Sequence, residues 1–239
     1  MATMILANIL RGRLDPPLVH LHGPGGSGKT TIAMACAASI AARSSTVAWL
    51  DTSRGFSPAR FKQVSMGTAG TDASRSLLYT RASTAVALDT AVGTLVDSAP
   101  AWHVRLVVLD TAFGCLDIRS EDPAFRRVAW LQARELLGRV AMLSKVHGIP
   151  VLLLNTVGTD PRTGTTKPTG ADVIAGLGFE DATIEATRDG DRASLRYASC
   201  DDRCPFTIQQ GGIAPAGGEQ AGTPPSRRDR SATAAPGAW

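Results

Sequence analysis

Residues 23–30 read GPGGSGKT, a glycine-rich motif that is interpreted together with the segments on either side of it. The preceding run LVHLHG (18–23) is short and apolar, which predicts a strand ending in glycine. The following run KTTIAMACAASIAAR (29–43) is rich in helix formers and alanine, which predicts a buried helix. The eight residues fit G-x-x-x-x-G-K-[ST] in the strand-to-helix setting that this pattern needs. The glycines let successive backbone N–H groups turn inward around phosphate oxygens, and the helix N-terminus adds a favourable dipole.

This loop predicts a nucleotide with its metal ion. Lys29 is expected to reach the β- and γ-phosphates and Thr30 to ligate Mg²⁺, so ATP and Mg²⁺ are the expected cofactors. Asp110 ends the aliphatic strand RLVVLD and is expected to complete the magnesium shell as the Walker B carboxylate; the alternative is a turn or capping aspartate. The residues expected to contact the nucleotide are Gly23, Pro24, Gly25, Gly26, Ser27, Gly28, Lys29, Thr30 and Thr31.

The rest of the chain alternates strand and helix patterns. Asp122 is a plausible N-cap for the longest helix, with Pro123 at its first position and Gly148 at its end. Alternation of this kind predicts an α/β fold with an open, doubly wound, mainly parallel sheet. The further strands are predicted at 46–51, 76–82, 104–110 and 149–155, and the further helices at 84–99 and 122–148.

The pattern changes after residue 156. A polar, Gly/Thr-rich stretch, TVGTDPRTGTTKPTGADV (156–173), is too long for an ordinary connection and predicts a functional loop. Alternating residues around Asp189 and Gly190 predict a C-terminal antiparallel hairpin, and PFTIQQ (205–210) an edge strand. We therefore expect a core over residues 1–210 and a disordered Gly/Pro/Ala-rich tail over 211–239.

Composition restricts the class of protein. The chain has 239 residues, 44% of them hydrophobic, which suits one globular domain. It shows no apolar run long enough for a membrane span and no signal peptide, so we expect a cytoplasmic protein. Of the four cysteines only Cys200 and Cys204 are close together, so zinc is not expected. His20 and His22 face the same way on one strand, without an apparent third ligand for a metal.

Several segments resemble the core of the RecA-type recombinases. LDTSRGFSPARF (50–61) is similar to the family's segment IDTEGTFRPERF, and LVVLDTAFG (106–114) resembles its Walker B strand. GIPVLLLNTV (148–157) and TKPTGADVIAG (166–176) resemble the strand before the second DNA-binding loop and the exit from that loop. The resemblance covers about residues 5–213 and implies a RecA-like P-loop NTPase core. The short length, with no N-terminal helical domain expected before the core, favours the archaeal RadB group over its RadA relatives.

Two departures from the family concern hydrolysis. Ser53 occupies the position of the water-activating glutamate, and a hydroxyl beside the cation Arg54 is no general base near pH 7. Thr156 replaces a glutamine that resembles a γ-phosphate sensor. An ATPase that is weak or lost is therefore expected, unless Asp117 or Glu121 substitutes as the base.

The resemblance also implies DNA as a partner. Arg119, Arg126 and Arg127 lie where the first DNA loop would lead into its helix, and Arg162 and Lys167 lie in the second. Such cations can follow the phosphates of single-stranded DNA without reading sequence. The expected function is that of a RadB-like accessory protein of homologous recombination and DNA repair, with a RadA-type recombinase as a possible protein partner. Two alternatives stay open: a DNA-dependent ATPase recombinase with an unorthodox base, and a regulatory ATP-binding protein that acts on a protein partner without DNA.

Overall fold

The computed structural model describes residues 8–9, 14, 17–159, 163–186, 192–197 and 203–215. The predicted strands and helices of the first 155 residues are confirmed, with ends that differ by a few residues. In chain order the elements are β1 Leu18–Gly23, α1 Lys29–Ala41, β2 Thr46–Asp51, α2 Pro58–Ala69, β3 Leu77–Arg81, α3 Ala85–Ser98, β4 Val104–Asp110, α4 Pro123–His147, β5 Val151–Thr159, β6 Thr166–Pro168, α5 Ala171–Ile174, β7 Glu180–Ala186, β8 Arg192–Tyr197, β9 Cys204–Gln209 and β10 Gly212–Pro215.

One mixed sheet joins these strands in the order β10-β9-β8-β7-β1-β5-β4-β2-β3, and β6 pairs with β5. Neighbours from β7 through β1 to β3 are parallel, whereas β7 to β10 and the β5–β6 pair are antiparallel. The predicted α/β fold with a mainly parallel sheet and a C-terminal antiparallel hairpin is therefore confirmed.

Helices cover both faces of the parallel part of the sheet. Residues of β4 alternate between two cores: Leu106 and Val108 pack in the core formed with α1 and α2, whereas Val107 and Leu109 pack in the core formed with α3 and α4. This arrangement explains the near-continuous aliphatic strands, because a strand that is covered on both faces has no polar side.

The longest helix, α4, has the ends that its sequence predicts. Asp122 Oδ1 accepts hydrogen bonds from the backbone N–H groups of Ala124, at 2.8 Å, and Phe125, at 3.3 Å. Gly148 ends the helix with a φ of 65°, a conformation that favours glycine. No described helix combines the length and apolar character that a membrane span requires.

The C-terminal region corrects three expectations. The stretch predicted as a loop from residue 156 is partly regular, because β5 continues to Thr159 and pairs with β6. Strand β9, predicted at the sheet edge, lies inside it, because β10 pairs on its outer side. Residues 212–215 therefore belong to the sheet and not to a tail, and Ile213 packs against the core with α1 and α2. The proposed turn at Asp189 and Gly190 and the remaining tail, 216–239, lie outside the described residues.

Candidate phosphate-binding site

The loop between β1 and α1 needs glycine at several positions. Gly26 and Gly28 have φ values of 75° and 91°, in the left-handed region that side chains with a Cβ rarely adopt. At Gly23 a Cβ would stand 2.7 Å from the carbonyl oxygen of Ile184 on β7. Around Gly25 and Gly26, by contrast, a Cβ would meet nothing within 4 Å, so this part of the loop is open to a ligand.

Lys29 brings a positive charge into the middle of this loop. Its Nζ donates to the carbonyl oxygens of Gly23 at 2.9 Å and Pro24 at 2.7 Å. Burial lowers the pKa of Lys29, and the nearby carboxylate of Asp110 opposes that shift. The ammonium group is thus held among backbone dipoles at the first turn of α1, where an anion would also meet the helix N-terminus.

Thr30, in the first turn of α1, meets Asp110, at the end of β4, although β1 and β4 are not neighbours in the sheet. Strand β5 lies between β1 and β4, yet Thr30 Oγ1 donates to Asp110 Oδ2 at 3.0 Å. Asp110 is only 2% exposed, and burial raises its pKa to about 6, against the opposing hydrogen bond from Thr30. A divalent cation at this pair would favour the charged carboxylate, so these two oxygen groups fit Mg²⁺.

The remaining loop residues surround these groups. Ser27 is buried, and its Oγ accepts a further hydrogen bond from Lys29 Nζ at 3.4 Å. Pro24, Gly25 and Gly26 are exposed, and Thr31 is half-buried on α1. Pro24, Gly25 and Gly26 therefore form the exposed part of the loop, and Ser27 and Lys29 its buried part.

Asp51, at the end of β2, stabilises the turn that follows it. The carboxylate is fully buried and stands opposite Asp110 in the β2–β4 register. Both of its oxygens are engaged by donors from the turn and from β3. These donors are the N–H groups of Ser53, Gly55 and Phe56 and the hydroxyl groups of Ser53 and Tyr79.

Ser53 itself belongs to this turn. Its Oγ donates to Asp51 Oδ1 at 3.3 Å and accepts from the N–H of Gly55 at 3.2 Å. Arg54 is exposed, with a φ of 62°. The hydroxyl group is therefore occupied locally, and no carboxylate stands at residue 53.

The two alternative bases are placed differently. Asp117 lines a cavity of about 240 Å³ beyond the ends of β4 and β5, together with Thr111 and Thr156. Glu121 is exposed just before α4 and does not line that cavity. Only Asp117 thus shares a cavity with the position of the predicted phosphate sensor.

Thr156 lies directly beside the loop of residues 23–30, the candidate phosphate-binding loop, hereafter called the phosphate loop. In the parallel register of β1 and β5 it is the partner of Gly23, the first residue of the loop. Its N–H donates to Asn155 Oδ1 at 2.8 Å, and its carbonyl oxygen accepts from the N–H of Thr169 at 2.9 Å. Asn155 was missed by sequence reasoning, although an asparagine directly after the aliphatic run VLLL (151–154) is a signal that could have found it.

The predicted DNA contacts are all on the surface where the structure describes them. Arg119 is exposed and donates to Thr169 Oγ1 at the base of the β5–β6 pair. Lys167 is exposed on β6 opposite Gly158. Arg162 lies outside the described residues.

Two further predicted contacts lie on the first turn of α4. Arg126 and Arg127 are exposed and line a groove of about 400 Å³ with Trp130 and Arg134. Trp130 is half-buried, and its ring N–H donates to the carbonyl oxygen of Ile118 at 3.0 Å. The groove thus combines cationic side chains with an indole that is already anchored.

The expectation that His20 and His22 lack a third partner is wrong. Strand β7 places Asp181 beside them, with its Oδ1 2.6 Å from His20 Nδ1 and 4.0 Å from His22 Nε2. One donor atom from each of the three lies within 4.8 Å of the others. Burial, with a further contribution from His20, lowers the pKa of His22 to about 4, which keeps His22 neutral near pH 7.

Comparison with known proteins does not assign this chain to a family. No family model matches the chain, and no curated protein matches it.

Proposed function

We propose that this chain is a RecA-type, RadB-like protein that binds ATP with Mg²⁺ and single-stranded DNA and hydrolyses ATP slowly or not at all. The observation that carries the proposal is the meeting of Lys29, Thr30 and Asp110 at one end of the sheet. A glycine-rich loop with open space at Gly25 and Gly26, a lysine, a hydroxyl and a buried carboxylate together supply what a nucleoside triphosphate and its metal need.

Each group has a separate task in this proposal. Lys29 offsets the charge of the β- and γ-phosphates, and the N-terminus of α1 orients them. Thr30 and Asp110 would hold Mg²⁺, and the ion would supply positive charge against the phosphates. The RecA-like topology is proposed from the resemblance of the segments described above. The separation of β1 from β4 by one strand is compatible with it.

Slow hydrolysis is supported by the turn after β2. Asp51 accepts five hydrogen bonds from the turn and from Tyr79, so its lone pairs are committed to structure. Ser53 has a hydroxyl that is itself bound to Asp51. Neither residue is placed to take a proton from water.

Binding to DNA is supported by exposed cations near the same end of the sheet. Lys167 lies on β6, and Arg119 reaches the segment that follows β6. A role as a cytoplasmic accessory protein of recombination, with a RadA-type recombinase as partner, is proposed from the resemblance alone.

Two observations favour the alternative functions. Asp117 lines the cavity that Thr156 also lines, which would suit a DNA-dependent ATPase with an unorthodox base. The outer face of α4 exposes large apolar side chains, which would suit a regulatory protein that binds another protein instead of DNA. These side chains are Phe125, Val128, Leu131, Met142 and Val146.

The deciding experiment is ATP binding and turnover measured beside a DNA titration. Lys29→Ala is expected to weaken ATP binding at least about tenfold, since a charge-assisted contact to phosphate is lost. Lys62→Ala is the matched control, because Lys62 is exposed and pairs with Asp72 on the surface. Unchanged affinity in Lys29→Ala would contradict the phosphate-site assignment.

Turnover and salt dependence separate the three functions. Hydrolysis stimulated by single-stranded DNA would favour the active ATPase. ATP binding without salt-dependent DNA binding would favour the regulatory protein, because phosphate contacts must weaken as salt rises.

A further inference from the structure

A chain of hydrogen bonds runs from β7 through β1 to β5, next to the phosphate loop. Asp181 Oδ1 lies 2.6 Å from His20 Nδ1, and His20 Nε2 lies 3.0 Å from Asn155 Nδ2. His20 and Asn155 are each 1% exposed, whereas the side chain of Asp181 is about half exposed, at 51%. The chain therefore leads from a carboxylate at the surface to an amide in the interior.

The orientation of the Asn155 amide is fixed by two main-chain groups. Its Nδ2 donates to the carbonyl oxygen of Thr169 at 2.7 Å, and its Oδ1 accepts from the N–H of Thr156 at 2.8 Å. The flipped amide would place oxygen against oxygen at Thr169 and N–H against N–H at Thr156. Asn155 must therefore present its NH₂ group to His20.

This orientation determines the tautomer of His20. Because Asn155 donates, Nε2 of His20 must accept, and the ring proton must lie on Nδ1, where it is donated to Asp181. A metal ion on Nδ1 would need that proton to move to Nε2, against the amide hydrogens of Asn155. The geometry thus favours a hydrogen-bonded relay over metal binding by His20, His22 and Asp181.

Asn155 in turn closes the base of the hairpin formed by the end of β5 and by β6. It binds the main chain on both sides of that base, at Thr156 and at Thr169, which also bond to each other. Thr156 is the strand partner of Gly23, and Thr169 Oγ1 accepts a hydrogen bond from the guanidinium of Arg119. One amide therefore links the edge of the phosphate loop to the hairpin that carries Lys167.

We infer that His20 is a positioning residue: its ring, held by Asp181, accepts a hydrogen bond from Asn155 and steadies the amide whose two main-chain hydrogen bonds fix the β5–β6 hairpin against the phosphate loop. Among the described residues, His20 forms no hydrogen bond with the loop glycines or with Lys29. It therefore acts through Asn155. The consequence for nucleotide and DNA rests on the proposed function, whereas the positioning of the hairpin does not.

The first test is the protonation of the His20 ring in the full-length wild-type protein. Nitrogen-15 spectra of the imidazole are expected to show the neutral form with its proton on Nδ1 at pH 7.5. A proton on Nε2 would overturn the inference. The inference would also be overturned if Zn²⁺, added alone, bound and removed the Nδ1–H signal, because His20, His22 and Asp181 would then form a metal site.

The second test is amide hydrogen exchange in a pair of variants. His20→Phe keeps a ring without either polar group, and exchange of the Thr156 and Thr169 amides is expected to rise roughly tenfold. His20→Gln keeps one donor and one acceptor and is expected to restore much of the protection. Amides of Trp49 in β2 and Leu137 in α4 should be unchanged in both variants.

Two outcomes of the exchange experiment would contradict the inference. One is an even rise throughout the sheet, which is what a merely structural core residue would give. The other is a folded His20→Phe variant with wild-type exchange at Thr156 and Thr169. If His20→Phe does not fold, the comparison of His20→Gln with wild type and the ring spectra still decide the question.

Adding ATP with Mg²⁺ separates this inference from the proposed function. In the wild type, nucleotide should slow exchange at Thr156 and Thr169, and less so in His20→Phe. If nucleotide has no effect on the wild type, the proposed function fails, whereas the ring proton and the exchange of the nucleotide-free variants still decide the role of His20.

Discussion

Two buried aspartates end neighbouring strands, and their surroundings give them different roles. Asp51 receives donors from the turn after β2 and from Tyr79, so its charge is satisfied by the fold. Asp110 receives the hydroxyl of Thr30, and burial raises its pKa to about 6. Asp110 is buried and keeps lone pairs that accept no hydrogen bond from the described residues, so a cation would stabilise Asp110 more than Asp51.

At the scale of residues, we predict that a substitution at Ser53 raises ATPase activity. Ser53→Glu is expected to create or raise ATPase activity, because it restores a carboxylate at the strand tip. General-base catalysis contributes about 10²- to 10⁴-fold, and the gain should fall at the low end or below. The carboxylate of Asp51 lies next to the new group, Arg54 can pair with it, and Thr156 cannot replace the missing glutamine. Steady-state phosphate release measures the effect.

Controls at the same position sharpen this test. Ser53→Gln should give no gain, and adding Lys29→Ala to Ser53→Glu should abolish it. If the wild type already turns over ATP as fast as an active recombinase, and Asp117→Asn removes that activity, then Asp117 is the base and the interpretation of Ser53 is wrong.

His22 predicts a dependence of stability on pH. Burial holds its pKa at about 4 in the folded chain, against 6.5 for the free side chain. Between these values the unfolded chain binds more protons, so stability falls as the pH falls from 6.5 to 4, by up to about 3 kcal/mol. Asp110 works in the opposite direction over much of this range, because its folded pKa is raised.

A matched variant isolates the contribution of His22. Urea unfolding of wild type and His22→Gln at pH 7, 5.5 and 4.5 cancels the contribution of Asp110, which both proteins share. The wild type should lose stability relative to the variant as the pH falls. A difference between the two that stays constant with pH would show that His22 takes up protons freely in the folded chain.

At the scale of elements, the β5–β6 pair is the part of the fold that joins the phosphate loop to exposed cations. Its ladder runs from Val157 opposite Pro168 to Thr159 opposite Thr166. So short a ladder needs support, and Asn155 and Thr169 give it at the base. The hairpin is thus held where it leaves the sheet, while Lys167 faces solvent.

This element predicts a loss of affinity for DNA. Neutralising Arg162 and Lys167 together should weaken binding to all sequences alike and lower the log–log salt slope by roughly one to two units. Fluorescence anisotropy with single-stranded oligonucleotides over a salt series measures both. Lys62→Ala with Arg75→Ala removes the same charge from α2 and the segment after it and is the control. Equal losses in both double variants would point to net charge instead of the hairpin.

At the scale of the whole molecule, the C-terminal strands brace the far side of the phosphate loop. A Cβ at Gly28 would meet the side chain of Ile208 at 2.6 Å, and one at Gly67 would meet the carbonyl oxygen of Gly211 at 2.1 Å. Arg60 on α2 donates to the carbonyl oxygen of Gln209 at 2.8 Å. The turn between β9 and β10 is therefore packed against α2, and α2 against α1.

Two truncations test this bracing. Removing 216–239 should leave the free energy of unfolding within about 0.5 kcal/mol of wild type, because none of the described contacts is lost. Removing 211–239 should lower it by about 1 to 3 kcal/mol, since Ile213 and the β10 ladder are lost. Urea unfolding measures both. Equal stability of the two truncated chains would show that β10 adds nothing to the core.

The sequence by itself determined the glycine-rich loop at 23–30 between a strand and a helix, the alternation of strands and helices and the ends of α4, because each depends on residues close together in the chain. It also placed Lys29 and Asp110 at the ends that parallel strands bring to one edge. Only the tertiary structure decided that β10 extends the sheet, that Asp117 and not Glu121 lines the cavity, and that Asp181 meets His20. These contacts depend on strand order and register, and no local pattern encodes a hydrogen bond between residues 161 positions apart.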